Sequence, residues 1–157
     1  MSHFLRPLLR RQQEARLVNE RTGALLASEI ETAFDSATRR KGLLGRSELP
    51  AGQALVLAPC NAIHTFRMRF PIDVIFVTRD GVITKIVERL GAWRMAASFS
   101  AFATIELRAG AVGDQALTVG DRIALRTAIN DLRTTRDIRL VSGRRIRAAE
   151  GALPTNT

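Results

Sequence analysis

Residues 63–77 read Ile-His-Thr-Phe-Arg-Met-Arg-Phe-Pro-Ile-Asp-Val-Ile-Phe-Val, and the second half of that run decides the fold. Ile72–Val77 is apolar at successive positions apart from Asp73, which is the pattern of a central strand. Asp80-Gly81 follows as a hairpin signal, and Val82–Leu90 alternates as the returning strand. If Asp80 and Gly81 form a two-residue loop, Asp73 faces Glu88, and like charges directly opposite are destabilising. An arginine, a bound cation or a shared proton must then neutralise them. A four-residue loop puts Asp73 opposite Ile86 instead. Asp73 can also simply cap backbone amides at the strand start, or bond Arg67 or Arg69.

Working outward, Leu17–Ala33 suits two short strands around the turn Asn19-Glu20-Arg21-Thr22-Gly23. Asp35 can cap a helix from Ala37 to Leu44, with Gly42 inside it and Gly45 just past its end. Ala54–Leu57, Ala103–Leu107 and Arg122–Thr127 read as further strands, and residues 91–101 as a loop holding Trp93. Strand after strand with few helices predicts a mainly β protein, a small β-sandwich or barrel-like domain with one or two short helices. Three segments are expected: a basic N-terminal arm over residues 1–16, the β domain over 17–127, and a basic Arg-rich C-terminal tail over 128–157.

The 157 residues suit one domain that folds without covalent staples. A single cysteine, Cys60, excludes an internal disulfide and fits a reducing compartment. No run of 18 apolar residues is present, so no membrane span is expected, and neither is a signal peptide. The default localisation is cytoplasmic. The net charge of +9 is concentrated at the ends: residues 47–121 hold seven basic and seven acidic side chains, while residues 122–157 hold eight arginines and three acids. Such ends attract anions, including nucleic acid. A compositional bias of the source genome produces the same excess.

Four residues are candidates for binding: Arg46, His64, Asp73 and Glu106. A neutral imidazole at His64 serves as base or ligand, although a lone histidine near a strand is commonly an edge residue with one satisfied hydrogen bond. Glu106 sits in an apolar strand and can simply face solvent. Cys60 acts as a nucleophile only beside an activating base. No local spacing of metal ligands exists, and phosphate loops, dinucleotide-binding glycine patterns and nucleophile elbows are absent. Neither metal nor cofactor is expected. Trp93, between Arg89 and Arg94, offers a stacking platform for a base or covers a core edge.

Taken in order, Gly42-Leu43-Leu44-Gly45-Arg46, Ile63-His64-Thr65-Phe66-x-Met68-x-x-Pro71-Ile72-Asp73-Val74-x-Phe76-Val77, Asp80-Gly81, Glu106-Leu107-x-Ala109-Gly110 and Val119-Gly120-Asp121 resemble the domain of unknown function 192 family (uncharacterised protein family 0127) over roughly residues 17–127. The His-Thr-Phe form resembles its cytoplasmic bacterial branch. The resemblance implies a small β domain and no particular activity. It singles out Arg46, His64, Met68, Asp73, Glu106, Gly110 and Asp121. Leu44 replaces a methionine usual in the family, and Arg67 a small residue. Many members carry an export signal, which is not found here.

The expected function is a binding or accessory domain whose Arg46, His64, Asp73 and Glu106 form one polar patch for a small anionic or peptide ligand, or for a protein partner. A hydrolase is the first alternative. It would use His64 as base with Asp73 orienting it, and would need both side chains on one sheet face. Weak nucleic-acid association through the Arg-rich ends is the second.

Overall fold

The computed structural model describes residues 4–5 and 15–127. These described residues belong to one unit, and the Arg-rich tail lies outside them. The fold is mainly β. Ten strands run β1 (Ala15–Asn19), β2 (Leu25–Ala27), β3 (Glu29–Ala33), β4 (Gln53–Leu57), β5 (Ala62–His64), β6 (Ile72–Val77), β7 (Ile83–Leu90), β8 (Met95–Ala97), β9 (Ala103–Arg108) and β10 (Ile123–Thr127). Two short helices, α1 (Ser36–Lys41) and α2 (Ala111–Asp114), complete the set. The strands form three open sheets: β10-β1-β2, β3-β4-β9-β6-β7 and the β5-β8 ribbon.

The five-stranded sheet carries a core on each face. Ala54, Val56, Ile75, Val77, Ile105 and Leu107 pack on one face against Leu17, Leu26, Ile123 and Leu125 of the three-stranded sheet. Leu55, Leu57, Ile72, Val74 and Phe76 pack on the other against Leu43, Leu49, Ile63, Met68 and Ala96. Covering both faces explains why Ile72–Val77 is buried at every position. It also explains the near-continuous apolar reading of β4 and β9. Phe4 and Leu5, within the expected arm, are tied in as well. The Phe4 amide donates to Arg79 O (3.2 Å), and Leu5 is buried in the first core.

Asp80-Gly81 closes the β6-β7 hairpin as expected, with Gly81 at φ 81°. A Cβ there would strike the Ile123 carbonyl oxygen, so the position takes only glycine. The hairpin register runs Ile75↔Ile86 and Val74↔Val87, then shifts to Ile72↔Leu90. That shift is a β-bulge opposite Asp73. Helix α1 starts at the predicted cap, with Asp35 accepting from the amides of Ala37 and Thr38, both at 2.9 Å. It ends earlier than the sequence suggested: Gly42, at φ 45°, terminates the helix and does not lie inside it. The expected pair of strands before α1 is three. The expected loop over residues 91–101 contains β8.

Candidate ligand cavity

The strand register settles which candidate residues meet. Glu31 of β3 pairs with Leu55 of β4, Leu55 with Glu106 of β9, and Glu106 with Val74 of β6. These four side chains form one row on the sheet face against which Leu43, Leu49 and Ile63 pack. Asp73 pairs with Leu107, one step along β6, and so points to the opposite face.

The expected patch is therefore corrected at Asp73. Its carboxylate is fully buried, with Oδ1 accepting from the Arg89 amide (2.8 Å) and Oδ2 from the Val112 amide (2.9 Å). Arg89 has φ 48° and lies in the bulge. Val112 is in the first turn of α2, whose N-cap is Gly110 and supplies no side chain. Asp73 thus performs from β6 the capping that Gly110 cannot. Glu88 is exposed. A His64–Asp73 catalytic pair does not form, because the two lie on opposite faces of the sheet.

On the other face, a cavity of about 340 Å³ opens beside Glu106. Arg39, Arg40 and Lys41 from the last turn of α1 line it, together with Leu43, Leu44, Leu57, Cys60, Ile63, His64 and Met68. Arg39 is anchored, its Nη1 donating to Phe34 O (2.5 Å) and Ala58 O (3.3 Å). The Cys60 thiol donates to Ala62 O at 3.2 Å. His64 is an exposed member of the lining and makes no side-chain hydrogen bond among the described residues; its ring stacks on Phe66.

Glu106 is the chemically distinctive group. It does not face solvent: it is 5 % exposed, and its Oε2 is buried without a hydrogen-bond partner among the described residues. Desolvation pushes its pKa up to about 7, and the nearby positive charge of Arg46 opposes that rise. Arg46 itself clasps Glu31 with both guanidinium nitrogens, Nη1 to Oε1 at 2.7 Å and Nη2 to Oε2 at 2.6 Å. The guanidinium holds Glu31 below the usual carboxylate range. The pair is partly exposed, so replacing Arg46 by alanine is expected to cost no more than about 1 kcal/mol of stability. Its clearer effect should be on Glu106, whose side-chain carboxyl carbon in an NMR titration should move to a still higher midpoint. An unmoved midpoint would mean that the arginine charge does not reach the buried acid.

Among the described residues, no group of three His, Cys, Asp or Glu side chains is placed to hold a metal ion, and no helix is long and apolar enough to cross a membrane.

The matched family model, DUF192, described as an uncharacterized ACR, covers residues 17–125. The chain belongs to the DUF192 family. Among curated proteins none matches. Two crystal structures share the fold. One is a candidate transcription regulator from Sinorhizobium meliloti 1021, with TM-score 0.62, 23% identity, 73% of this chain and 92% of that chain covered. The other is a protein of unknown function from Novosphingobium aromaticivorans DSM 12444, with TM-score 0.61, 20% identity, and coverage of 69% and 81%.

The residues that the family resemblance singles out divide into two groups. His64, Met68 and Glu106 line the cavity, and Arg46 acts on Glu106 through its charge. Asp73, Gly110 and Asp121 are structural. Asp121 accepts from Asn19 Nδ2 (2.7 Å), Arg21 Nε (2.6 Å) and the Thr118 amide (3.1 Å), locking the β10 end to β1. Sequence reasoning missed the contribution of Arg40 and Lys41 at the end of α1 and of Leu43 just past it. The Asp35 cap before a basic last turn was the available signal, but nothing in it says what the helix covers.

Proposed function

We propose that this DUF192 domain binds a small organic anion in the cavity beside Glu106. The buried Oε2 of Glu106, which has no hydrogen-bond partner among the described residues, carries this reading. A buried polar atom without a partner is costly, and a ligand group that bonds it recovers that cost. The walls from Leu43, Leu57, Ile63 and Met68 suit an apolar body, and the volume falls at the lower end of small-molecule sites. Arg39, Arg40 and Lys41 at the lining favour negative charge. Below about pH 7 the protonated carboxyl of Glu106 can donate a hydrogen bond to a carbonyl or carboxylate oxygen.

Titration of the purified chain with short carboxylates and N-acetylated dipeptides, followed by the His64 ring and Met68 methyl signals, tests this reading. A carboxylate that needs the protonated acid should bind about tenfold more weakly for each pH unit above 7. The Gln variant, E106Q, should remove that pH dependence. Silence of both reporters across the panel would exclude the cavity as an anion site.

A further inference from the structure

The β5-β8 ribbon presents a second surface whose chemistry differs from that of the cavity. Residues 61–71 and 91–101 contain Arg67, Arg69 and Arg94 and no Asp or Glu. All three arginines are exposed, and none joins an ion pair among the described residues. Three rings run across the same ribbon. His64 stacks on Phe66 at 4.9 Å with 15° between the planes, and Phe66 tilts against Trp93 at 5.8 Å. Trp93 is 65% exposed, so it does not cover a core edge.

The rings are held in place from beneath. Thr65 is fully buried, and its Oγ1 donates to Gly91 O (2.6 Å) and accepts from the Arg94 amide (3.0 Å). Its carbonyl accepts from the Trp93 amide (3.1 Å). Arg67 and Trp93 are fixed in the left-handed region, at φ 64° and 60°. A bulky residue seldom adopts that region unless the surrounding structure imposes it. The indole is thereby set outward by the backbone.

We propose that this ribbon binds single-stranded nucleic acid, with bases stacked on Trp93 and the Phe66–His64 pair and phosphates met by Arg67, Arg69 and Arg94. Exposed ring faces interleaved with unpaired arginines are what an unpaired strand requires, whereas a duplex hides the faces of its bases. A membrane-surface loop also combines aromatic and basic side chains, but it needs no fixed ring geometry. The ribbon adjoins the proposed anion cavity at His64, which belongs to both, but Phe66, Trp93 and the three arginines lie outside the cavity lining, and the site is distinct from any attraction by the Arg-rich ends.

Trp93 is the only tryptophan, so its fluorescence reports from the ribbon alone. Single-stranded (dT)12 added to the full chain should quench it. If three phosphates are neutralised, raising salt from about 50 to about 200 mM should weaken binding roughly 20-fold. By anisotropy of labelled (dT)12, Trp93→Ala should weaken binding about tenfold. An Arg69→Ala/Arg94→Ala double variant, which leaves the rings intact, should weaken it too and flatten the salt dependence. Unquenched Trp93 with undiminished binding in the variants would overturn the proposal and place the contact elsewhere. A fluorescence blue shift on anionic phospholipid vesicles with no response to (dT)12 would overturn it in favour of a membrane surface.

Discussion

Replacing Asp73 by alanine is expected to lower the unfolding free energy by about 3–5 kcal/mol, seen as a fall in the urea midpoint at unchanged slope. The size follows from what the carboxylate holds. It accepts two backbone amides, one from the bulge of β7 and one from the first turn of α2. Leaving a buried donor unsatisfied costs about 1–3 kcal/mol, and alanine orphans both. Asparagine should cost less, because it keeps one acceptor oxygen and loses only one of the two bonds. A local reading separates this mechanism from general loosening. Hydrogen exchange at the Arg89 and Val112 amides should accelerate in the alanine variant more than exchange in β4 or β9. A midpoint shift under about 0.5 kcal/mol would mean that water reaches both amides and that the carboxylate is not their necessary partner.

The same residue shows where sequence reading stops. Ile72–Val77, the Asp80-Gly81 hairpin, the Asp35 cap and a mainly β architecture were all legible, because each rests on local periodicity or turn chemistry. The side-chain set around the cavity was not. Whether residues 73 and 106 share a face depends on the pairing register of β6 with β9, and a shift of one residue reverses the answer. Continuing the Ile75↔Ile86 register along the hairpin would set Asp73 opposite Glu88, but the register shifts before that pair forms. The bulge replaces that opposition with an amide contact, and a bulge leaves little trace in composition. Elements β5 and β8, of three residues each, and α2, of four, were unread because tertiary hydrogen bonds hold them. Thr65 is the clearest case: its role in the ribbon comes from partners 26 and 29 residues away. Glu106 reads as a charge in an apolar strand that can face solvent, but β9 is central and is covered on both faces.

Burial of Glu106 predicts the second large effect, a pH dependence of stability. Its folded pKa is raised to about 7 from a reference of 4.5. The folded chain therefore holds this proton more tightly than the unfolded chain does. Stability from this group is fully present below about pH 4.5, falls as pH rises, and is lost above about pH 7. Two and a half pH units at about 1.4 kcal/mol each give a loss of roughly 3.5 kcal/mol. The Gln variant, E106Q, fills the same space without titrating. Its stability relative to the native chain should be constant below pH 4.5, improve by roughly that amount up to pH 7, and then level off. Using the difference between the two proteins removes acid-side contributions such as Asp121, which Arg21 holds well below the usual carboxylate range. Parallel profiles would show that water or a mobile cation solvates Glu106 in the folded chain. The same experiment probes the cavity. An anion that needs the acid protonated must itself raise the Glu106 midpoint when it binds, because linkage is reciprocal. Adding a carboxylate identified in the binding panel should therefore shift the falling part of the native profile to higher pH while leaving E106Q unchanged in shape.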